Sequence, residues 1–563
     1  MSSSPWPAEN FTLAIIHAKL WTGLKHQDLA ADAIGVRGEN IALVGDSLTV
    51  LSRCDQATLV IDARQGMVVP GFSDCHCHFL DGGLRLLAVQ LREVKTPADF
   101  AQAIAQKAAE LAPGSWIMGG DWDHQQWGGS LPDKSWIDAL TPLHPVWLNR
   151  LDGHMSLANS LALKLAGINS STPSPGGGEI VRNEKGEPSG VFKDSAQNLI
   201  ISHIPRRSSE ENDRAVHAAM NYVAAHGVTE VHTMVTVDCA CGLWPKNLGA
   251  NAVAEDMEAA YEELAVYRRF HRQGLLKTRI RAALPLASWR RLRDDLEANG
   301  GGDDWLRLGC LKAMLDGSLG SHTAAMHEAY EDTPGYRGQF IWDPEILAGY
   351  IREASAAGLQ VMVHAIGDRA IHEQLNMFER VARDSPQADH RFRIEHAQHI
   401  ASEDIPRFAR LGVIASLQMS HLADDGQWAE QAIGRKRLAS SWPMKSLITS
   451  GARVALGSDW FVTRPSPLEG IHAAVSRATK DGKHPQGLIP EEKVSVEEAL
   501  HGYTTGAAYA SFAEHRRGSI EAGKLADLVL LDRDLRTIAT EEIPQVQVLR
   551  TIIGGRVVFE KSR

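Results

Sequence analysis

A chain of 563 residues with 44% hydrophobic and 23% charged side chains can bury a large core, and its formal net charge of −11 comes with no block of lysine or arginine. That balance excludes a polyanion-binding surface; basic pairs such as Arg290 and Arg291 read as solvated helix faces, and no nucleic-acid partner is expected. Six cysteines, with Cys75/Cys77 and Cys239/Cys241 tightly spaced, do not make a disulfide framework, and neither a basic leader nor a run of about 18 uncharged apolar residues is present, so a cytoplasmic protein without a membrane partner is expected.

Residues 1–68 read as short strands. The runs "FTLAIIHAKLWTG", "AIGVRGENIALVGD" and "ATLVIDARQGMVVPGF" are β-rich and parted by Gly, Asn and Asp turn signals. The next segment, Asp74 to His78, reads "DCHCH". On a strand, side chains alternate faces, so His76 and His78 point one way and Cys75 and Cys77 the other. The two histidines can share one ion; all four residues cannot unless the strand breaks. A structural Cys2His2 site also draws its ligands as two separated pairs. That reading is disfavoured, and the cysteines are expected as buried neighbours.

Residues from about 85 to 200 are rich in Trp, Gly and Pro and read as an inserted subdomain. Beyond them, apolar runs alternate with amphipathic ones, which indicates parallel βα units within 69–500. Three of these runs turn polar on a metal-ligating residue: His364 ends "LQVMVHAIGD", His396 ends "FRIEHAQ" and Asp459 ends "RVALGSDW". In a (β/α)8 barrel the C-terminal ends of the strands are where active sites assemble. The separations of 32 residues (364 to 396) and 63 residues (396 to 459) correspond to one unit and two, placing the three on strands n, n+1 and n+3. Histidines with an aspartate suit zinc or a similar borderline ion. Lys312 ends the strand before His364; on residues alone, a salt-bridging barrel lysine is the preferred reading. The last part, 501–563, returns to strands in "ADLVLLDRD" and "VLRTIIGGRVVFE", with a hairpin turn at Gly554-Gly555 and a terminal helix expected beside them. Two β-rich ends suggest one small β domain built from both.

Taken together, "PGFSDCHCH", "VHAIGD", "EHAQ", "GSDW" and "GSIEAGKLADLVLLD" resemble the amidohydrolase superfamily. "RLDGHMSLANSLAL", "GGEIVRNEKGEPSGVFKDSA" and "KAMLDGSLGSHTAAMHEAY" are similar to the branch containing N-substituted formamide deformylase. The resemblance runs from about residue 10 to 558. It implies an α/β fold: a distorted (β/α)8 TIM barrel with a small β-sandwich from both termini. It implies metal ligands at His76, His78, His364, His396 and Asp459, with a carboxylated Lys312 as the bridge; Lys193 in the insertion is a rival for that role. One or two divalent ions, Zn2+ by preference, would serve a hydrolase cleaving an amide-type C–N bond, other than a peptide bond, by a metal-activated hydroxide.

In that reading Asp459 is the general base, His154 a catalytic and substrate-facing residue, and Asp121 and Trp127 substrate-binding residues. The partner is a small-molecule substrate, and a homodimer is open. Two alternatives stay on the table: hydrolysis of another bond (cyclic amide, lactone, ester or carbamate) on the same scaffold, and a non-catalytic regulatory or binding protein.

Overall fold

Eight apolar runs form one parallel sheet whose strands follow each other in chain order: Phe72–Cys77, Val228–Met234, Arg279–Pro285, Leu306–Met314, Gln360–Ala365, Arg393–His396, Ile414–Leu417 and Arg453–Leu456. The computed structural model describes residues 10–24, 31–150, 155–175, 178–235 and 250–562. Strands such as Gln360–Ala365, with sequence QVMVHA, are buried along their whole length, as expected for parallel strands covered by helices on one side and filled on the other. The preceding helix, Pro344–Ala356, starts where the Asp343 carboxylate accepts from two backbone N–H groups and Pro344 occupies the first turn.

The sheet nearly closes on itself. Its first and last strands meet through a parallel bridge between Cys77 and Trp460 and through Asp459 N–H donating to His76 O at 2.7 Å. Gly457 permits this approach: a Cβ there would lie 2.6 Å from the His76 backbone nitrogen. The strands expected to carry His364, His396 and Asp459 are the fifth, sixth and eighth, so the spacing argument matches the barrel.

Both ends of the chain feed a pair of smaller sheets. One has four strands, all from residues 13–62; the other has five, in which Lys19–Leu20 and Met67–Pro70 join Leu528–Leu531, Val548–Ile553 and Arg556–Glu560. Leu13, Ile15, Ile34 and Ile61 share a core with Val68, Leu528, Leu530 and Ile552, which makes the two sheets a sandwich. The last element of the described chain is the strand Arg556–Glu560; within 501–563 the α-helix lies at Thr505–Ala510, ahead of the strands, rather than at the end.

Residues 80–219 belong to a second compact unit. Its six-stranded sheet runs in the order Gly178–Arg182, Pro188–Asp194, Met155–Ala158, Val146–Arg150, Ile117–Trp122 and Val89–Gln90. The tryptophans largely pack this unit: Trp122 is fully buried with its indole N–H on Leu148 O at 2.8 Å, and Trp127 and Trp136 lie edge-on to Phe100.

Candidate metal centre

Asp459 lies three residues past the eighth strand at φ 59°, a left-handed backbone that a non-glycine residue holds only at some cost. Its Oδ1 is 3.4 Å from His76 Nε2 and 3.3 Å from His78 Nε2, while Oδ2 is 3.6 Å from His421 Nε2. Two ligand trios therefore share this carboxylate: His76, His78 and Asp459, and His396, His421 and Asp459. Within each trio the ligand atoms lie within 4.8 Å of one another. The His396 ring sits 4.8 Å from that of His76 and 4.3 Å from that of His364.

The backbone explains how neighbouring residues reach one place. His396 has φ 70°, so it leaves the alternation of its strand. That is why Glu395 and His396 both approach His76, Glu395 Oε2 at 2.6 Å from its Nδ1. Asp74, on the first strand, accepts from His76 N–H and from both the backbone N–H and the hydroxyl of Ser458, tying the first strand to the loop that carries Asp459. Burial pushes the Asp74 carboxyl up to about 6 despite those donors. Asp316 does the same work for the fifth strand: it accepts from Ala325, Ile366 and Gly367 N–H and is raised by burial to about 7.

Four imidazole nitrogens here are buried without a hydrogen-bond partner: His76 Nε2, His78 Nδ1, His396 Nδ1 and His421 Nε2. Leaving such groups unpaired costs about 1–3 kcal/mol each. The tautomers favour a cation as the missing partner. Glu395 holds the proton on His76 Nδ1, which leaves the lone pair on Nε2, and Gly317 O at 3.0 Å holds the proton on His364 Nε2, which leaves it on Nδ1. Burial, seconded by the Lys312 charge, lowers His76 to about 4 and His364 to about 3; burial and the neighbouring imidazoles hold His396 well below its usual value. All three are thus neutral near pH 7, the form that binds metal. Burial works to raise Asp459, but the imidazoles of His76, His78 and His396 outweigh it and keep the carboxylate ionised. The donor set fits a divalent cation.

Lys312 is buried on the fourth strand, within electrostatic reach of His76, His364, His396 and Glu395. Lys193 instead pairs with Glu179 at 2.8 Å in the six-stranded sheet. Asp121 and Trp127 have partners within their own unit: Asp121 binds Arg85 and Asn149, and Trp127 donates to Ser130 O. His154 lies outside the described residues. Cys75 and Cys77 are fully buried, burial raises both thiols, and neither joins a ligand trio among the described residues. Cys75 packs with Ile414, Ala455, Ala507 and Ala510.

Sequence reasoning missed His421 and Glu395. His421 sits in the short helix Met419–Asp425 after the seventh strand, where no paired spacing marks it; the only signal was a histidine closely following an apolar run. Glu395 was visible in "EHAQ", but its reach depends on the φ of its neighbour.

A nearly closed parallel barrel with histidines and an aspartate gathered at its strand ends is the architecture of a metal-dependent hydrolase. The sequence profile described as the amidohydrolase family matches residues 59–559, and the chain belongs to that family. It is 38% identical to the protein LONG AFTER FAR-RED 3 of Arabidopsis thaliana, over 94% of this chain and 88% of that one. It is 29% identical to the N-substituted formamide deformylase of Arthrobacter pascens, over 98% of both. Its fold matches the crystal structure of an uncharacterized metal-dependent hydrolase from Pyrococcus furiosus with a TM-score of 0.73 and 27% identity, over 93% of this chain and all of that one. No helix among the described residues is long and apolar enough to cross a membrane.

Proposed function

We propose that this hydrolase cleaves an amide-type C–N bond in a small N-acyl or N-formyl compound, with His76, His78, His364, His396, Asp459 and a carboxylated Lys312 holding its divalent metal, Zn2+ by preference. The observation that carries the metal reading is the ring of buried, unpartnered imidazole nitrogens around an ionised Asp459. The likeness to an N-substituted formamide deformylase along the full chain supports the bond class.

Such an ion supplies Lewis-acid activation of a water and of the scissile carbonyl. The chain's own groups do the rest. Asp459 takes a proton from the attacking water onto a carboxylate oxygen and returns it to the leaving nitrogen. Glu395 fixes the His76 ring and Gly317 O that of His364, so neither ligand reorganises during turnover. Lys312 as an ammonium would repel a cation beside it. Addition of CO2 to its neutral amine, with loss of a proton, forms an anionic carbamate that can ligate.

The test is a panel of N-formyl and N-acyl amines set beside lactones, esters, carbamates and cyclic amides, run before and after chelation. Turnover of the amides, lost on chelation and restored by Zn2+, is the expected result. Metal-dependent turnover confined to lactones or esters would sink the amide assignment.

A further inference from the structure

The side chain of Gln398 is fixed at one end and open at the other. It follows His396 by two residues, where left-handed backbone at His396 and Ala397, φ 70° and 43°, turns the chain out of the sixth strand. Its Nε2 lies 3.1 Å from His399 Nε2 and 3.2 Å from Asp425 Oδ2. Its Oε1 has no hydrogen-bond partner among the described residues, yet it is not one of the orphan atoms sealed inside the protein.

A chain of hydrogen bonds decides which way this amide faces. Ser441 Oγ donates to Arg437 O at 3.2 Å, so it accepts the Nδ1–H of His399 at 2.7 Å. That leaves the lone pair of His399 on Nε2. Burial, with the Arg437 charge behind it, lowers the ring to about 3, which keeps it neutral. An imidazole lone pair and a carboxylate oxygen are both acceptors, so the two amide protons of Gln398 face them and its carbonyl oxygen turns away. A flipped amide would set that oxygen against both. Asp425 ends the helix Met419–Asp425, one turn beyond His421. The metal centre opens on this side: the His421 and Asp459 side chains keep 11% and 9% exposure, against 1% for His76. At the edge of that opening, an acceptor held in one orientation lacks its donor.

We infer that Gln398 Oε1 accepts the N–H of the scissile bond, so that the substrate is a secondary amide. The inference rests on the amide reading and narrows it. An N-formyl or N-acyl amine with one hydrogen on nitrogen supplies the missing donor; a tertiary amide, an ester or a lactone has none. His399, Ser441 and Asp425 are then positioning residues, which hold the acceptor and touch no substrate.

Matched substrates test this. A secondary N-formyl amine and its N-methyl counterpart are compared by kcat/KM on the zinc-loaded full chain, in the wild type and in Gln398→Met. The wild type should favour the secondary amide by about 10–100-fold, the effect of leaving a buried acceptor unpaired. Gln398→Met should lose most of that preference, mainly through the secondary substrate. A glutamine with only a structural role would slow both substrates alike, and an unchanged ratio overturns the inference. Where Gln398→Met does not fold, Asp425→Asn takes its place. An amide at 425 can donate as well as accept, so Gln398 is able to flip and the preference should shrink; an unchanged preference there also overturns the inference. A wild type that hydrolyses both amides equally well refutes the role of Gln398 and leaves the amide reading intact, whereas one that hydrolyses only esters or lactones removes both.

Discussion

The barrel interior holds two clusters of buried ionisable side chains, and they solve the cost of burial in opposite ways. Deeper in the barrel, Arg393 makes five hydrogen bonds: to both oxygens of Glu395, to His232 Nδ1, to Cys75 O and to Ser416 Oγ. Beside it, Glu230 is bound by Arg517 and by Ser73. At the barrel mouth, three residues along the strand from Arg393, the histidines around Asp459 leave four nitrogens unpaired. Both clusters pay for desolvation, but the deeper one is met largely by ion pairs and hydrogen bonds within the protein, with His232 Nε2 and Arg517 Nε left over. A buried polar group left open in a native structure calls for a reason, and here the reason is a cation that protein partners do not replace. The deeper cluster should therefore govern folding, and the upper one chemistry.

Breaking the upper cluster has the largest expected effect. Asp459→Asn keeps the shape of the side chain but removes its basicity. Turnover on a substrate found by the panel should fall by about 10²–10⁴-fold, the range for loss of a general base. The thermal midpoint of the metal-free protein should stay close to wild type, because Asp459 lies beyond ordinary hydrogen-bond distance of the three imidazoles facing it. Near-normal turnover would remove Asp459 from the proton path.

Breaking the deeper cluster should show the reverse. Arg393→Met leaves Glu395 buried without its cation, which costs about 3–5 kcal/mol. Denaturant unfolding should reveal that loss in apo protein, where the upper cluster contributes nothing through metal. The same region predicts acid sensitivity. Burial works to raise Glu230, but Arg517 and His232 outweigh it and hold the carboxyl at about 2, below its ordinary value of 4.5. A depressed carboxyl stabilises the fold above its unfolded pKa and loses that contribution as pH falls through its folded value. Stability should thus decline between about pH 4.5 and 2, and the Glu230→Gln variant, whatever its overall stability, should show a shallower decline. An equally steep decline in that variant would show that Glu230 is not the titrating group.

Glu395 belongs to both clusters and sharpens the contrast. Glu395→Gln keeps a hydrogen-bond acceptor for His76 but loses the charge. Supporting groups of this kind are worth about 10–100-fold in metal affinity, so zinc affinity should weaken by that factor. Unchanged affinity would confine Glu395 to a folding role.

The sequence made this division only partly legible. Apolar runs of strand length ending in His364, His396 and Asp459 revealed the barrel and the mouth of the site, because strand ends and ligand chemistry are both local properties. Most of the deeper cluster was not legible: Arg393 and Glu395 stand two apart on one strand, but Arg393 reaches His232 and Glu230 reaches Arg517 only after closure, and nothing in the local sequence marks a partner more than a hundred residues away. His421 escaped because it sits on a helix, one turn from where a strand-end argument looks. The tryptophans of the insertion hinted at a substrate surface, yet Trp122 and its neighbours chiefly build a core, which composition alone does not distinguish.

The smallest expected effect concerns the two cysteines between the histidines of the first strand. The strand alternates, so Cys75 faces away from the mouth into a small apolar cluster, and burial raises both thiols rather than forming thiolates. A thiol in that state is a compact apolar side chain, not a metal ligand. Cys75→Ala should cost about 1 kcal/mol of stability and leave zinc content unchanged. The cobalt-loaded wild type should likewise lack thiolate charge-transfer absorption. Such a band, lost in Cys75→Ala or Cys77→Ala, would mean that the strand opens to let sulfur reach the ion, and the separation between a chemical face and a packing face would fail where the two are closest in sequence.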